Sequence, residues 1–232
     1  MLDVQDINQY YGGSHTLRGV SLDVKQGECL ALLGRNGVGK TTLLKCLMGV
    51  LPVASGKVLL DGQDISRLSP HRRAAMGMAY VPQGRDIFAR LTVEENIVMG
   101  MAAFPGSKAR RIKDEIYELF PVLKTMLARR GGDLSGGQQQ QLAIARALVA
   151  QPRLIIFDEP TEGIQPSIIK DIGRVIRLLR ARGDIGILLC EQYFDFAHEL
   201  ADRFVVMSRG EVVARGVQAA MGDAEVRRHL SV

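Results

Sequence analysis

The chain has 232 residues, 47% apolar and 24% charged, which suits one large domain with a substantial core and a polar surface. Its longest apolar stretches, such as Ile187–Cys190 and Phe204–Met207, fall far short of a bilayer span, and Asp3 and Asp6 interrupt any signal-peptide pattern, so a cytoplasmic protein is expected. Three cysteines without a CxxC pair (Cys29, Cys46, Cys190) argue against a disulfide framework or zinc site, and a net charge of +5 with no tryptophan-rich basic platform argues against nucleic acid.

In chain order, Leu2–Ile7, Leu17–Val24 and Cys29–Leu33 read as strands, the last running into a glycine-rich turn. There Gly34-Arg35-Asn36-Gly37-Val38-Gly39-Lys40-Thr41 fits the G-x-x-x-x-G-K-[ST] spacing, between an apolar strand and the helical pattern Thr42–Met48. Glycines let such a loop turn its N–H groups inward as an anion nest, and the helix adds its positive end. Lys40 is expected to reach the β- and γ-phosphates of a nucleotide, and the Thr41 hydroxyl to ligate Mg²⁺.

A hairpin is expected from Ser55-Gly56 through Val58–Leu60 to Asp61-Gly62, and a strand over Met78–Val81, closed by Pro82. From about Val93 to Ala150 the strand-like runs stop, and helical patterns at Ile112–Leu123 and Gln138–Val149 read as a helical lobe inserted into an α/β core. Lys108, Arg110, Arg111 and Lys113 read as one solvated stretch of helix surface. Within the lobe, Leu134-Ser135-Gly136-Gly137-Gln138 opens a long helical pattern and makes a second exposed anion-binding terminus. One chain rarely needs two for one nucleotide, so this one is expected to complete the site of a partner chain.

Leu154–Phe157 is a buried-type strand that stops in Asp158-Glu159, which puts both acids at a carboxyl end where α/β ligand sites gather. Asp158 is expected to hold Mg²⁺, and Glu159 to take a proton from the attacking water or to orient it. The plainer alternative makes them loop acids capping a helix after Pro160. Strand Gly186–Cys190 leads to Glu191-Gln192 and a helix over Tyr193–Leu200, which Gln192 alternatively caps; Phe204–Ser208 and Glu211–Ala214 form a last hairpin.

In this order the motifs resemble the ABC ATPase family, whose signature segment is LSGGQ, and the resemblance covers essentially the whole chain. It implies an α/β fold: a P-loop NTPase (RecA-like) core with an N-terminal antiparallel β subdomain and an inserted α-helical subdomain. Residues 1–87 and 151–232 are then the nucleotide-binding core, and 88–150 the helical signature subdomain. The resemblance further implies ATP and Mg²⁺, with Gly34, Asn36, Gly37, Gly39, Lys40, Thr41 and Thr42 around the phosphates. Tyr11 resembles the aromatic that stacks on adenine, with Tyr10 as its rival, and Gln83 resembles the glutamine that contacts Mg²⁺ or water and communicates with the permease. Thr41, Gln83 and Asp158 become the metal set; Lys40, Glu159 and Gln192 the catalytic set; and Ser135, Gly136, Gly137 and Gln138 the contacts to a partner's nucleotide.

The implied partners are a second ABC ATPase, identical or related, a transmembrane permease and, indirectly, a solute-binding protein outside the cell, with the chain on the cytoplasmic face of the inner membrane. Two residues depart from the family pattern. Gln192 stands where histidine is usual and Gln165 where aspartate commonly ends the crossing loop, and glutamine donates a hydrogen bond without titrating near neutral pH. Glu162–Pro166 and Glu191-Gln192 resemble the second ATPase of branched-chain amino-acid importers and their urea-importing relatives. Gln9–His15, Gln138–Gln141 and Gln165–Lys170 look more like the urea branch. The expected function is ATP-driven uptake of a small polar solute, urea favoured over branched-chain amino acids, with a non-hydrolysing regulatory subunit as the rival reading.

Overall fold

A computed structural model of the chain describes residues 1–103 and 112–230. Strands β1 (Leu2–Tyr11) and β2 (Ser14–Val24) form an antiparallel hairpin closed at Gly12-Gly13. Both outrun the apolar alternation that marked them. Their polar ends carry no such pattern, yet they pair across the turn, Tyr10 with His15 and Tyr11 with Ser14. β3 (Cys29–Leu33) and α1 (Lys40–Leu47) follow, then β4 (Ser55–Leu60) and β5 (Gln63–Asp64), which complete a four-stranded antiparallel sheet in the order β2-β1-β4-β5.

After α2 (Pro70–Ala75) and β6 (Met78–Val81), the chain runs through helices α3 (Val93–Met99), α4 (Asp114–Leu119), α5 (Pro121–Lys124) and α6 (Gly136–Leu148). It then alternates: β7 (Leu154–Asp158), α7 (Pro166–Arg182), β8 (Gly186–Glu191), α8 (Phe194–Leu200), β9 (Arg203–Ser208), β10 (Glu211–Val217) and α9 (Ala224–Leu230). The second sheet has the order β10-β9-β3-β8-β7-β6, parallel except for the antiparallel edge strand β10. Every residue of β3, β7 and β8 is buried, which is why these strands read as unbroken apolar runs.

The two faces of this sheet build separate cores. Leu154, Ile156, Leu188 and Cys190 pack with Leu43, Leu44 and Leu47 of α1 and with the first sheet, while Ile155, Phe157, Ile187 and Leu189 pack against α6 and α7. Helix α7 presents Ile172, Val175, Ile176 and Leu179 there, one apolar stripe at helical spacing. The side of β7 that faces α1 is the side on which Asp158 falls, so strand alternation aims that carboxyl at the phosphate-loop helix.

The single helix expected over Ile112–Leu123 is two helices. Pro121 cannot donate to the ladder and disfavours helical dihedrals in the residue before it; Phe120 sits at φ −131, ψ 71, and α5 restarts at the proline. Of the expected basic stretch, Lys113 is exposed at the start of α4, and Lys108, Arg110 and Arg111 lie outside the described residues. No helix among the described residues is long and apolar enough to cross a membrane.

Candidate functional site

The carboxyl ends of β3, β6, β7 and β8 converge on the start of α1. Gly34 leaves β3 at φ 154, and a Cβ there would lie 2.6 Å from the Met207 carbonyl, so the loop passes where no side chain fits. Helix α1 starts at Gly39 without a side-chain cap, so the side chains around it leave its first-turn amides without an acceptor. Lys40 turns back over the loop. Its Nζ donates to the carbonyls of Gly34 (2.7 Å) and Arg35 (3.0 Å) and pairs with Glu159 Oε1 at 3.1 Å, both side chains being only 4% exposed. Asn36, Gly37 and Gly39 through Thr42, with Thr16, Gln83 and Glu159, line a cavity of about 280 Å³.

Asp158 is fully buried, and each of its oxygens has a donor: the Thr41 hydroxyl reaches Oδ1 at 3.3 Å and the Tyr80 hydroxyl reaches Oδ2 at 2.8 Å. Burial, followed by the charge of Asp158, pushes the Tyr80 phenol far above its ordinary range, so it stays a donor. Thr41 and Asp158 offer hard oxygen donors side by side, the chemistry Mg²⁺ takes. No group of three His, Cys, Asp or Glu among the described residues could hold a metal.

Glu159 sits in the left-handed region at φ 47, its N–H bonded to the Cys190 carbonyl. Its Oε2 accepts from Gln83 Nε2 and from Gln192 Nε2, each at 3.3 Å. Gln83 also donates to Glu162 Oε2 at 2.9 Å. The plainer alternatives for these residues are corrected here. Helix α7 starts only at Pro166 with Gln165 before it, so Asp158 and Glu159 cap no helix; α8 is preceded by Tyr193, and the amide of Gln192 is committed to Glu159.

The signature segment stands apart. Ser135 Oγ accepts from the N–H of Gln138, and Gln138 Oε1 accepts from the N–H of Ser135, a reciprocal box that closes the start of α6. A Cβ on Gly137 would lie 2.8 Å from the branched Ile168 side chain, so glycine lets α6 approach it; one on Gly136 would meet only the movable end of the Arg85 guanidinium at 2.9 Å. None of Ser135, Gly136, Gly137 and Gln138 lines the cavity at Lys40. Tyr10 stacks on His15 at 4.2 Å, which leaves Tyr11 on the opposite face of β1, half-exposed; neither lines the cavity.

Sequence reasoning missed four residues that hold this arrangement. Tyr80 fixes Asp158. Glu191, buried, accepts from the N–H groups of Thr161, Gln192 and Tyr193 and from the Thr161 hydroxyl, tying the loop after Glu159 to Gln192; burial raises its carboxyl pKa, against those hydrogen bonds. Arg146 of α6 donates to the carbonyls of Arg85 and Asp86, which clamps the segment after Gln83. Arg73, 1% exposed, donates to the carbonyls of Cys46 and Leu47 at the end of α1, and to those of Ser66 and Leu68. A polar residue ending an apolar strand was a readable signal for Glu191; Arg146 and Arg73 depend on distant backbone, and Tyr80 on the distant Asp158 carboxylate.

Comparison with known proteins bears on these motifs directly. The family pattern described as "ABC transporter" matches residues 17–162. The chain is 41% identical over 221 residues to the high-affinity branched-chain amino acid transport ATP-binding protein BraG of Pseudomonas aeruginosa, covering 95% of this chain and 94% of that one. It is 36% identical to the lipopolysaccharide export system ATP-binding protein LptB of Haemophilus influenzae, covering 98% and 95%. Among solved structures, the ATP-binding cassette MJ1267 of an ABC transporter superposes with a TM-score of 0.86 at 28% identity, covering 100% of this chain and 99% of that one.

Proposed function

The chain belongs to the ABC transporter family and has the fold of its ATPase cassettes, and from that premise we propose that it powers a solute importer as one of two ATPase subunits. It is an ATPase coupled to transport, and cassettes of this family work as dimers with membrane permease components. The observation that carries the detailed reading is the convergence of Lys40, Thr41, Gln83 and Glu159 on one cavity beside the uncapped start of α1, with Asp158 bonded to Thr41 and Gln192 to Glu159 just behind its wall.

ATP enters with its phosphates against the amides of residues 36–42, and the Lys40 ammonium exchanges Glu159 for β- and γ-phosphate oxygens. Thr41, Asp158 and Gln83 would hold Mg²⁺, which supplies neutralisation of phosphate charge. Glu159, released from Lys40, accepts a proton as the water oxygen bonds to the γ-phosphorus and the bond to the β-phosphate oxygen breaks. Gln192 orients Glu159 through its amide and adds no titrating group. Ser135 and Gly137 of the second subunit complete the site, and Tyr11 carries the adenine. Residues 1–87 and 151–232 act as the nucleotide core, and 88–150 as the lobe that moves with the permease.

The solute reading is branched-chain amino-acid uptake, supported by the 41% identity to BraG, with delivery by a binding protein outside and the chain on the cytoplasmic face of the inner membrane. Urea is the second reading, supported by Gln9–His15, Gln138–Gln141 and Gln165–Lys170; neither relative named above carries urea in its name. Uptake of labelled leucine and of labelled urea by cells with and without the chain separates the two. Glu159→Gln is expected to bind ATP and elute as a trapped dimer in gel filtration. Turnover at the wild-type rate by that variant contradicts the role given to Glu159.

A further inference from the structure

Tyr80 makes the shortest contact to Asp158 and lies outside every sequence motif of the site. Its position follows from the sheet. β6 is the edge strand beside β7, with Tyr80 opposite Ile156 and Val81 opposite Phe157 in parallel register. Alternation sends Ala79 and Val81 into the core under α6 and α7, and Met78 and Tyr80 to the α1 side, where Leu154 and Ile156 also lie. Asp158 is the next residue of β7 on that side. The Tyr80 ring packs on the α1-side core, and the length of the phenol carries its hydroxyl past Ile156 to Asp158 Oδ2 at 2.8 Å.

A carboxylate turns easily about its last torsion, since such terminal torsions are broad and two-fold. Asp158 is buried, and with Thr41 on Oδ1 and Tyr80 on Oδ2 its plane is fixed by one donor at each oxygen. Cys190, opposite Asp158 across β7 and β8, offers only a thiol, a weak donor. We infer that Tyr80 is a positioning residue for the metal: by occupying Oδ2 it presents Oδ1 to the ion shared with Thr41. This rests on the proposed reading of Thr41 and Asp158 as Mg²⁺ ligands. Partners that orient a ligating side chain are commonly worth about 10- to 100-fold in metal affinity, so the effect is large enough to measure.

The test uses the full chain with ADP and Mn²⁺ as the probe, free Mn²⁺ being followed by electron paramagnetic resonance. Tyr80→Phe keeps the ring and removes the hydroxyl; Asp158→Asn runs beside it. The expected result is Mn²⁺ affinity about tenfold weaker in Tyr80→Phe, with ADP affinity in EDTA close to wild type and a metal-free melting temperature lowered by the loss of one donor to a buried carboxylate. In hydrolysis the half-saturating Mg²⁺ concentration rises by the same factor, and kcat recovers at high Mg²⁺. Unchanged Mn²⁺ affinity in Tyr80→Phe, with loss in Asp158→Asn, overturns the inference and leaves the metal site standing. Wild-type Mn²⁺ affinity in Asp158→Asn overturns the metal-site reading and the inference with it.

Discussion

Helix α1 follows Gly39 and α6 opens on Gly136-Gly137, and the two treat their first-turn amides in opposite ways. At α1 no side chain caps the terminus; a buried lysine and a buried glutamate face each other above it instead. At α6 the terminus caps itself, Ser135 and Gln138 bonding to each other's backbone, and it stays partly exposed. An uncapped terminus keeps its first-turn amides open to an anion, whereas a self-capped one has satisfied part of its own. The first is organised around a ligand of its own chain. The second suits a surface that meets its ligand only when another subunit brings one.

The strongest way to break the comparison is at α1. Lys40→Ala removes the ammonium and leaves Glu159 buried without its cation, and ATP affinity measured by calorimetry is expected to fall by about 100-fold or more. A smaller effect, on stability alone, comes from the other end of the helix. Arg73→Met removes a donor from four carbonyls, of which those of Cys46 and Leu47 are buried and that of Cys46 keeps the Gly49 N–H, and is expected to cost about 3 kcal/mol in urea denaturation.

The α6 side sharpens the contrast. Ser135→Ala opens the box and is expected to lower stability by about 1 kcal/mol, with ATP affinity of the isolated chain unchanged and hydrolysis by the dimer reduced. Equal loss of ATP affinity in Ser135→Ala and Lys40→Ala would erase the difference between the two termini. The mildest probe is Gln192→His. Wild type is expected to show no activity limb from this position between about pH 6 and 8, and the variant to gain one near pH 6.5.

What could be read from sequence was whatever lies within one local pattern. Gly34–Thr41, Leu154–Glu159 and Leu134–Gln138 each join an element to its turn within a few residues, and each occupies the element expected of it. Helical periodicity hid the break at Phe120-Pro121, although the proline itself was in plain view. The polar ends of β1 and β2 gave no alternation, because hairpin pairing alone makes them strand. Tyr80, Arg73 and Arg146 were illegible for a different reason: their partners are Asp158, the end of α1, and the carbonyls of Arg85 and Asp86, contacts that exist only once the sheet is assembled. Gln192 was noticed as a departure, but that its amide meets Glu159 follows from the adjacency of β7 and β8.

The central claim, that α1 holds the nucleotide and α6 serves the site of another subunit, is tested most directly by ATP hydrolysis of the purified chain across a concentration series, with Glu159→Gln in parallel. The account predicts specific activity that rises with protein concentration as dimers form, and its loss in the variant. Specific activity independent of concentration down to the monomeric range, or hydrolysis that survives in Glu159→Gln, would contradict it.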